Sequence, residues 1–248
     1  MAFCTVACSP FGVSRPPVPP PPHPPVQGPA VAAVRRAGVL RVASDLSYPP
    51  LAFRERGLPA GFEVELAGLL AAALGVRLEI VDMPRASMRP GFRDVDLLIS
   101  GWTAEGAPGL ASVSYYAMRQ GILWREGQTA PSDGSLRGVR VAVQVRSSGQ
   151  AAAEQSGAIS AFVAYAPVDV FGAVTRGAAQ AAVGDLPVVT EYARTHPHLR
   201  VSAASWPAAS LVVVVRADAP DLLTFTSAAI RELERQHGLD QLRQRWRL

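Results

Sequence analysis

The residue types that most often carry chemistry are sparse in this chain of 248 residues. Both cysteines, Cys4 and Cys8, lie within the first ten residues, so the rest of the chain has no thiol for a disulfide or a Cys-based metal site. Only two histidines, His196 and His198, lie close together, and a surface turn accounts for them better than a metal site. No Ser-His-Asp set, metal-ligand spacing or phosphate-binding glycine-rich loop can be identified. The residues therefore favour binding over catalysis, and they predict neither a cofactor nor a metal.

An alternation of strands and helices must position whatever site the chain contains. Alternating or continuous apolar residues predict strands over 39–43, 76–81, 96–100, 138–145, 181–184 and 211–216. Helical periodicity predicts helices over 62–74, from about residue 150, and over 168–176, 186–195, 222–236 and 239–246. This spacing is typical of an α/β architecture with mostly parallel sheets, in which ligands bind at the carboxyl ends of the strands.

Composition narrows the class of protein. Apolar residues make up 49% of the chain, and no apolar stretch, the strand-sized run 211–215 included, approaches the length of a membrane span. The formal net charge is +4, and all 24 basic residues are arginines scattered along the chain. A nucleic-acid-binding protein is disfavoured, because no basic block is interleaved with aromatic residues.

The N-terminal region differs from the rest of the chain. Val6-Ala7-Cys8 resembles the end of a bacterial lipoprotein signal, which implies lipidation of Cys8, although a charged n-region and a full apolar h-region are missing. The alternative is an apolar N-terminus without such a role. Residues 15–29 are dominated by proline and favour polyproline II, which at about 3.1 Å per residue gives a semi-rigid spacer of roughly 40 Å. We therefore predict a leader and tether over 1–35, with an SH3-type ligand as the other interpretation of the proline segment.

Several blocks of the remaining chain resemble a known family in the same order. They are Leu40–Leu51, Gly61–Leu66, Asp96–Thr103, Ser114–Tyr116, Leu136–Gln144 and Ala181–Pro187, followed by the C-terminal helices. Together they resemble type II periplasmic solute-binding proteins, and more narrowly the polar amino-acid-binding family, bacterial solute-binding family 3, of ABC importers. The resemblance covers about residues 36–248.

The resemblance implies the fold and the role. It implies two α/β lobes with mostly parallel sheets, joined by two crossovers, that close on a ligand by a hinge. Lobe I would comprise 36–119 and 207–248, and lobe II would comprise 120–206. The implied protein is not an enzyme but a monomer of the periplasm or cell surface, which captures a small polar solute and passes it to an ABC permease. It would contact a membrane only through a lipid anchor, and it would bind no nucleic acid.

The resemblance also assigns ligand contacts to loops of both lobes. On lobe I these are Asp45, Tyr48, Ser100, Gly101, Trp102 and Thr103. On lobe II, Ser147 and Ser148 match a turn at a helix start, where free N–H groups favour an anion, although an ordinary N-cap is the alternative. Asp185 matches the acid that meets the amino group of the ligand, and its alternative is a helix cap.

One expected residue is missing from this pattern. The family usually has an arginine shortly after the position of Thr103, which pairs with the ligand carboxylate in bidentate fashion. Here residues 104–109 contain no arginine. Arg85 and Arg146 are the candidates to supply the cation instead, and a solvated surface position is the alternative for both.

Two other functions remain open from the sequence. Accessory or sensor proteins of similar fold, such as those paired with quinoprotein dehydrogenases, also lack this arginine. A few relatives of this fold are dehydratases that use a cleft carboxylate, and Glu105 would be the candidate base here.

Overall fold

A computed structural model of the chain describes residues 17–128, 135–164 and 166–248, with the backbone alone described at residues 90, 91, 161 and 162. Cys8, the predicted lipidation site, lies outside the described residues. Among those that are described, no helix is long and apolar enough to cross a membrane.

The chain builds most of lobe I, then all of lobe II, and then returns to lobe I. The first part contains α1 (Pro29–Ala37), β1 (Val39–Ser44), β2 (Ser47–Tyr48), β3 (Ala52–Glu55), β4 (Leu58–Ala60), α2 (Phe62–Leu74), β5 (Arg77–Asp82), a 3-10 helix (Arg85–Ser87), α3 (Met88–Gly91), β6 (Leu97–Thr103) and β7 (Leu110–Met118). Lobe II contains β8 (Gln120–Arg125), β9 (Arg140–Gln144), α4 (Ser148–Gln155), β10 (Ile159–Ala164), α5 (Pro167–Thr175), β11 (Ala181–Asp185), α6 (Leu186–Arg194) and β12 (Leu199–Ala203). The chain ends in lobe I with β13 (Ala209–Val215), α7 (Pro220–Arg235) and α8 (Gly238–Trp246).

Each lobe is organised around one five-stranded sheet. The strand order is β5-β1-β6-β13-β7 in lobe I and β10-β9-β11-β8-β12 in lobe II. The predicted two-lobed α/β fold is confirmed, but the sheets are more mixed than the mostly parallel arrangement we predicted. In lobe I, β1 is parallel to β5 and β6, while β13 is antiparallel to β6 and β7. In lobe II, β9 is parallel to β10 and β11, while β8 is antiparallel to β11 and β12. The antiparallel strands flank the two crossings between the lobes, and apolar periodicity carries no information on strand direction.

The proline segment does not stand away from lobe I as the predicted spacer would. Val18 is 6% exposed and belongs to the hydrophobic core of lobe I, and His23 Nδ1 hydrogen-bonds the carbonyl oxygen of Ala73. The folded part also begins before the predicted boundary at residue 35, because α1 packs on α7. Its Val31 is fully buried, and the backbone N–H of Val31 donates to Asp221 Oδ2 at 2.9 Å. The described part of the tether is therefore a strap that lies on lobe I.

Helix α2 follows from its sequence at both ends. It begins and ends at the residues that the periodicity predicts, and Gly75 closes it in the left-handed conformation with φ 75°. Its buried face includes Phe62, Leu66 and Leu70, together with one charged residue, Glu63. A carboxylate on the apolar face of a helix requires a hydrogen-bond donor, and that donor lies in the candidate site.

Candidate functional site

The acid of lobe II, Asp185, lies at the end of β11 and receives a hydrogen bond on each oxygen. Tyr48 of lobe I donates its hydroxyl to Asp185 Oδ2 at 3.0 Å. Gln120 Nε2 of lobe II donates to Asp185 Oδ1 at 2.8 Å. Asp185 is also the residue that precedes α6, but its side chain makes no capping hydrogen bond to that helix. The carboxylate is therefore directed into the cleft, where both lobes reach it.

A small pocket surrounds this carboxylate and has a polar end and an apolar wall. The polar end is formed by Tyr48, Gln120, Gln144, Ser147 and Asp185. The apolar wall is formed by Pro167, Val170, Phe171 and Val183. Such a combination suits a small ligand with a polar group and an apolar body.

Burial raises the pKa of Asp185, and the hydrogen bonds from Gln120 and Tyr48 and the charge of Arg85 oppose that rise. Burial also raises the pKa of Tyr48 well above its ordinary value, and the nearby Asp185 carboxylate adds to this rise. Tyr48 is therefore a hydroxyl donor at neutral pH. The acid is a strong acceptor, because it is partly withdrawn from water and is bonded only to neutral donors.

On lobe I, a second carboxylate fixes the loop at the end of β6. Glu63 is 2% exposed, and its Oε1 accepts the backbone N–H of Gly101 at 2.9 Å and the hydroxyl of Tyr115 at 2.5 Å. Burial raises the pKa of Glu63, and these two hydrogen bonds oppose the rise. Tyr115 itself is 1% exposed. Glu63 therefore holds Gly101 in place.

Arg85 lies against the same loop. Its Nη1 donates to the carbonyl oxygens of Ser100 at 2.9 Å and Gly101 at 2.8 Å. Its guanidinium carbon lies 4.3 Å from the centre of the Trp102 ring, which is a cation–π distance. Its backbone N–H donates to Asp45 Oδ2 at 3.0 Å. Of the two candidate arginines, Arg85 is thus placed at the predicted ligand loop.

The other predicted residues of lobe I take supporting positions. Asp45 Oδ1 accepts the backbone N–H of Ser47 at 3.1 Å and its hydroxyl at 2.6 Å, so its carboxylate holds the turn before Tyr48. Trp102 is 4% exposed and packs in a small hydrophobic cluster. Thr103 is the last residue of β6 and is paired with Leu211 of β13. A direct ligand contact by any of these side chains stays a prediction.

The predicted turn of lobe II combines capping with a pocket position. Ser147 Oγ accepts the backbone N–H of Gln150 at 3.0 Å, so the N-cap interpretation holds, and Ser147 also lines the pocket. Ser148 Oγ accepts from Gln120 Nε2 at 3.3 Å. Arg146 has an exposed side chain and a left-handed backbone with φ 55°, and its N–H donates to Gln150 Oε1 at 2.8 Å. None of the contacts described for Arg146 joins it to the pocket residues.

Two residues of this site, Gln120 and Glu63, were not predicted from the sequence. Gln120 is 3% exposed and pairs directly with Asp185 in the register of β8 and β11, so its role depends on a strand pairing that the sequence does not reveal. Glu63 carried a signal, because it falls on the apolar face of the predicted helix. In the described part of the chain, no three His, Cys, Asp or Glu residues are grouped to hold a metal ion.

Comparison with known proteins identifies a family and similar structures. The chain matches the model of the bacterial extracellular solute-binding proteins, family 3, over residues 40–248. It is similar to a mutant of ArgBP from T. maritima, with 28% identity and a TM-score of 0.76, covering 88% of this chain and 99% of that one. It is also similar to the ancestral amino-acid-binding protein AncCDT-1, described as a precursor of cyclohexadienyl dehydratase, with 26% identity, a TM-score of 0.76 and the same coverage.

A shorter match links the chain to an enzyme. It is 38% identical over 71 residues to cyclohexadienyl dehydratase of Pseudomonas aeruginosa. The match covers 27% of this chain and 26% of that protein, so it spans about a quarter of this curated relative.

Proposed function

Because the chain belongs to family 3 of the bacterial extracellular solute-binding proteins, we propose that its cleft captures a small solute through a cationic amine. The observation that carries this proposal is the Asp185 carboxylate, which lies between the lobes with a neutral donor on each oxygen. An ammonium group is a stronger partner for a carboxylate than either a hydroxyl or an amide.

The surroundings of Asp185 support an amine that donates more than one hydrogen bond. Gln120 Oε1 is buried and accepts no hydrogen bond from any described residue. It belongs to a residue that lines the same pocket, and we propose it as a second acceptor for the amine beside the carboxylate. The wall formed by Val170 and Phe171 supplies apolar surface for the body of the ligand.

The similar structures support the same class of ligand. ArgBP of T. maritima is described in an arginine-bound form, and AncCDT-1 is described as a cationic amino acid solute-binding protein. Both are at least 26% identical to this chain and are covered over 99% of their length. Amino acids and related amines are therefore the first solutes to test.

We propose further that the protein delivers its solute to an ABC permease from the periplasm or the cell surface. The extracellular character of the family supports this location. Lipid anchoring through Cys8 and a monomeric state belong to the same proposal. Neighbouring permease genes would support transport, whereas a dehydrogenase operon would support the accessory role.

A dehydratase is the second candidate, and the match to cyclohexadienyl dehydratase favours it. Glu105, the base that we predicted for such an enzyme, lies exposed in the turn after β6 and does not line the pocket. The carboxyl groups near the cleft are instead Asp185 and Glu63, and burial raises the pKa of both. Release of a dehydrated product during the ligand screen would favour the enzyme over the binding protein.

The proposal is tested by a thermal-shift screen with amino acids, amines and organic acids, followed by calorimetry on Asp185→Ala. We expect amine-bearing solutes to raise the melting temperature. Asp185→Ala should lower affinity at least about tenfold, because a charge-assisted hydrogen bond contributes about 1.5–3 kcal/mol. Asp169→Ala, which removes an exposed acid from α5 of the same lobe, is the matched control and should bind normally. Unchanged affinity in Asp185→Ala, or a screen in which no solute stabilises the protein, would contradict the proposal.

A further inference from the structure

The loop that follows β6 brings no cation to the cleft, because residues 104–109 are Ala-Glu-Gly-Ala-Pro-Gly. We propose that Arg85, from the turn after β5, binds a carboxylate of the ligand, so that the cleft takes solutes with both an amine and a carboxylate. This inference rests on the proposed function, since it assigns the amine of the same solute to Asp185. It makes Arg85 the residue that separates amino acids from simple amines.

The guanidinium of Arg85 is held at the loop in one orientation. One of its nitrogens, Nη1, is bonded to two carbonyl oxygens, and its plane lies near the Trp102 ring. Its backbone is fixed separately by Asp45. A side chain restrained at three points loses little further conformational entropy when it binds a ligand.

The remaining donors of this guanidinium are available. Nε and Nη2 of Arg85 make no hydrogen bond to any residue within the described ranges, and the side chain is partly buried rather than fully hydrated. These N–H groups form the planar fork that carboxylates accept in bidentate fashion. Nη1 therefore anchors the guanidinium to the loop, while the N–H groups of Nε and Nη2 remain for a ligand.

The charge of Arg85 acts on the cleft itself. It lowers the pKa of Asp185 and of Glu63 against the effect of their burial, and it also lowers that of Tyr48. Arg146, the other candidate, is exposed, and its charge is not among the causes that shift the pKa of these groups. Of the two candidate arginines, Arg85 is therefore the one whose charge acts on Asp185, the acid that would hold the amine.

The backbone beside Arg85 leaves room for this placement. Gly101 adopts φ 60°, and a methyl group at this position would lie 3.3 Å from Arg85 Nη1. A side chain there would press on the guanidinium, so glycine at position 101 permits both the turn and the approach of the arginine.

The test compares Arg85→Gln with the wild-type protein on matched pairs of ligands. Each pair is an L-amino acid and its primary amide, for example L-arginine and L-argininamide, because the amide keeps the amine and removes the negative charge. We expect the wild-type protein to prefer the amino acid, and we expect Arg85→Gln to lose about 10- to 100-fold in affinity for the amino acid while its affinity for the amide is unchanged. Arg146→Gln should change neither affinity. Arg85→Lys, which keeps the charge and loses the fork, should show a smaller loss.

The outcomes separate this inference from the proposed function. If the wild-type protein binds amides or simple amines as tightly as amino acids, Arg85 does not bind a carboxylate, whereas the amine site stands. An equal loss for both members of a pair in Arg85→Gln means that Arg85 only supports the loop, and a gain in affinity means that it competes with the ligand. A loss confined to Arg146→Gln overturns the assignment in favour of Arg146. If no solute binds the wild-type protein, the proposed function itself fails.

Discussion

The two walls of the cleft differ in where their hydrogen-bond partners come from. On lobe I, the Glu63 carboxylate is bonded to Gly101 and Tyr115, which belong to the same lobe. On lobe II, the Asp185 carboxylate is bonded to Gln120 of its own lobe and to Tyr48 of lobe I. The first set stays together when the lobes separate, whereas the second loses one member.

This difference assigns separate roles to the two acids. Glu63 is fully buried and bonded within one lobe, so it contributes to the stability of lobe I and to the position of the ligand loop. Asp185 is partly buried and shares a donor across the cleft, so separation of the lobes would remove one of its partners, and our proposal gives its oxygens to a ligand amine. A buried acid with fixed partners positions a site, and an acid with exchangeable partners recognises a ligand.

The largest expected effect on stability comes from removing the Glu63 carboxylate of lobe I. Glu63→Ala leaves the Gly101 N–H and the Tyr115 hydroxyl without an acceptor in a buried position. Each orphaned donor costs about 1–3 kcal/mol, so we expect the free energy of unfolding to fall by about 3 kcal/mol. Urea denaturation measures this loss, and a change below about 1 kcal/mol would remove Glu63 from the structural role given to it here.

Glu63→Gln is the matched control, because it keeps an acceptor and removes the charge. Burial raises the pKa of Glu63 above its ordinary value of 4.5. A carboxyl with a raised folded-state pKa stabilises the fold below the unfolded value, and this contribution is lost as the pH rises through the folded value. The wild-type protein should therefore lose stability relative to Glu63→Gln as the pH rises above the ordinary pKa of 4.5.

Gly101 is the point at which the loop contacts both Glu63 and Arg85. Gly101→Ala should cost about 2 kcal/mol of stability through the left-handed backbone and the contact with Arg85, and it should also weaken binding. Gly57→Ala is the matched control, because Gly57 has φ 84° but nothing lies within 4 Å of an added methyl group. It should cost about 1 kcal/mol and leave affinity unchanged. Equal affinity in the two variants would show that the Gly101 loop is not part of the site.

The sequence predicts the elements with clear periodicity and strong boundary residues. Helix α2 and strand β11 begin where predicted, and the antiparallel strands β7 and β8 were not predicted, because their polar and aromatic residues break a regular alternation. Helix α1 follows the proline segment directly and was not predicted. Its burial depends on α7, which lies far along the chain.

Contacts between distant parts of the chain also limit what can be predicted about the site. Asp185 and Tyr48 were found through the family resemblance, but their direct contact joins residues 137 positions apart and depends on how the lobes meet. Gln120 reaches Asp185 because β8 and β11 pair in an antiparallel register. Contacts that depend on register and on closure are tertiary properties, which a single sequence without homologues does not specify.

The smallest expected effect on stability comes from removing the hydrogen bond between Tyr48 and Asp185. Tyr48→Phe removes the hydroxyl that joins lobe I to Asp185. Because one neutral hydrogen bond contributes about 0.5–1.5 kcal/mol, the free energy of unfolding should change by no more than about 1 kcal/mol. The same loss is large for an equilibrium between open and closed lobes, because about 1 kcal/mol changes the ratio of the two populations roughly fivefold. We therefore expect small-angle scattering without ligand to give a larger radius of gyration for Tyr48→Phe than for the wild-type protein.

Tyr192→Phe is the matched control for this measurement, since Tyr192 packs on Phe171 and His196 within lobe II and has no described hydrogen bond across the cleft. Its radius of gyration should equal that of the wild-type protein. If Tyr48→Phe also keeps the wild-type radius, the bond between Tyr48 and Asp185 does not hold the lobes together. Asp185 would then differ from Glu63 only in its exposure, because neither acid would depend on a partner from the other lobe.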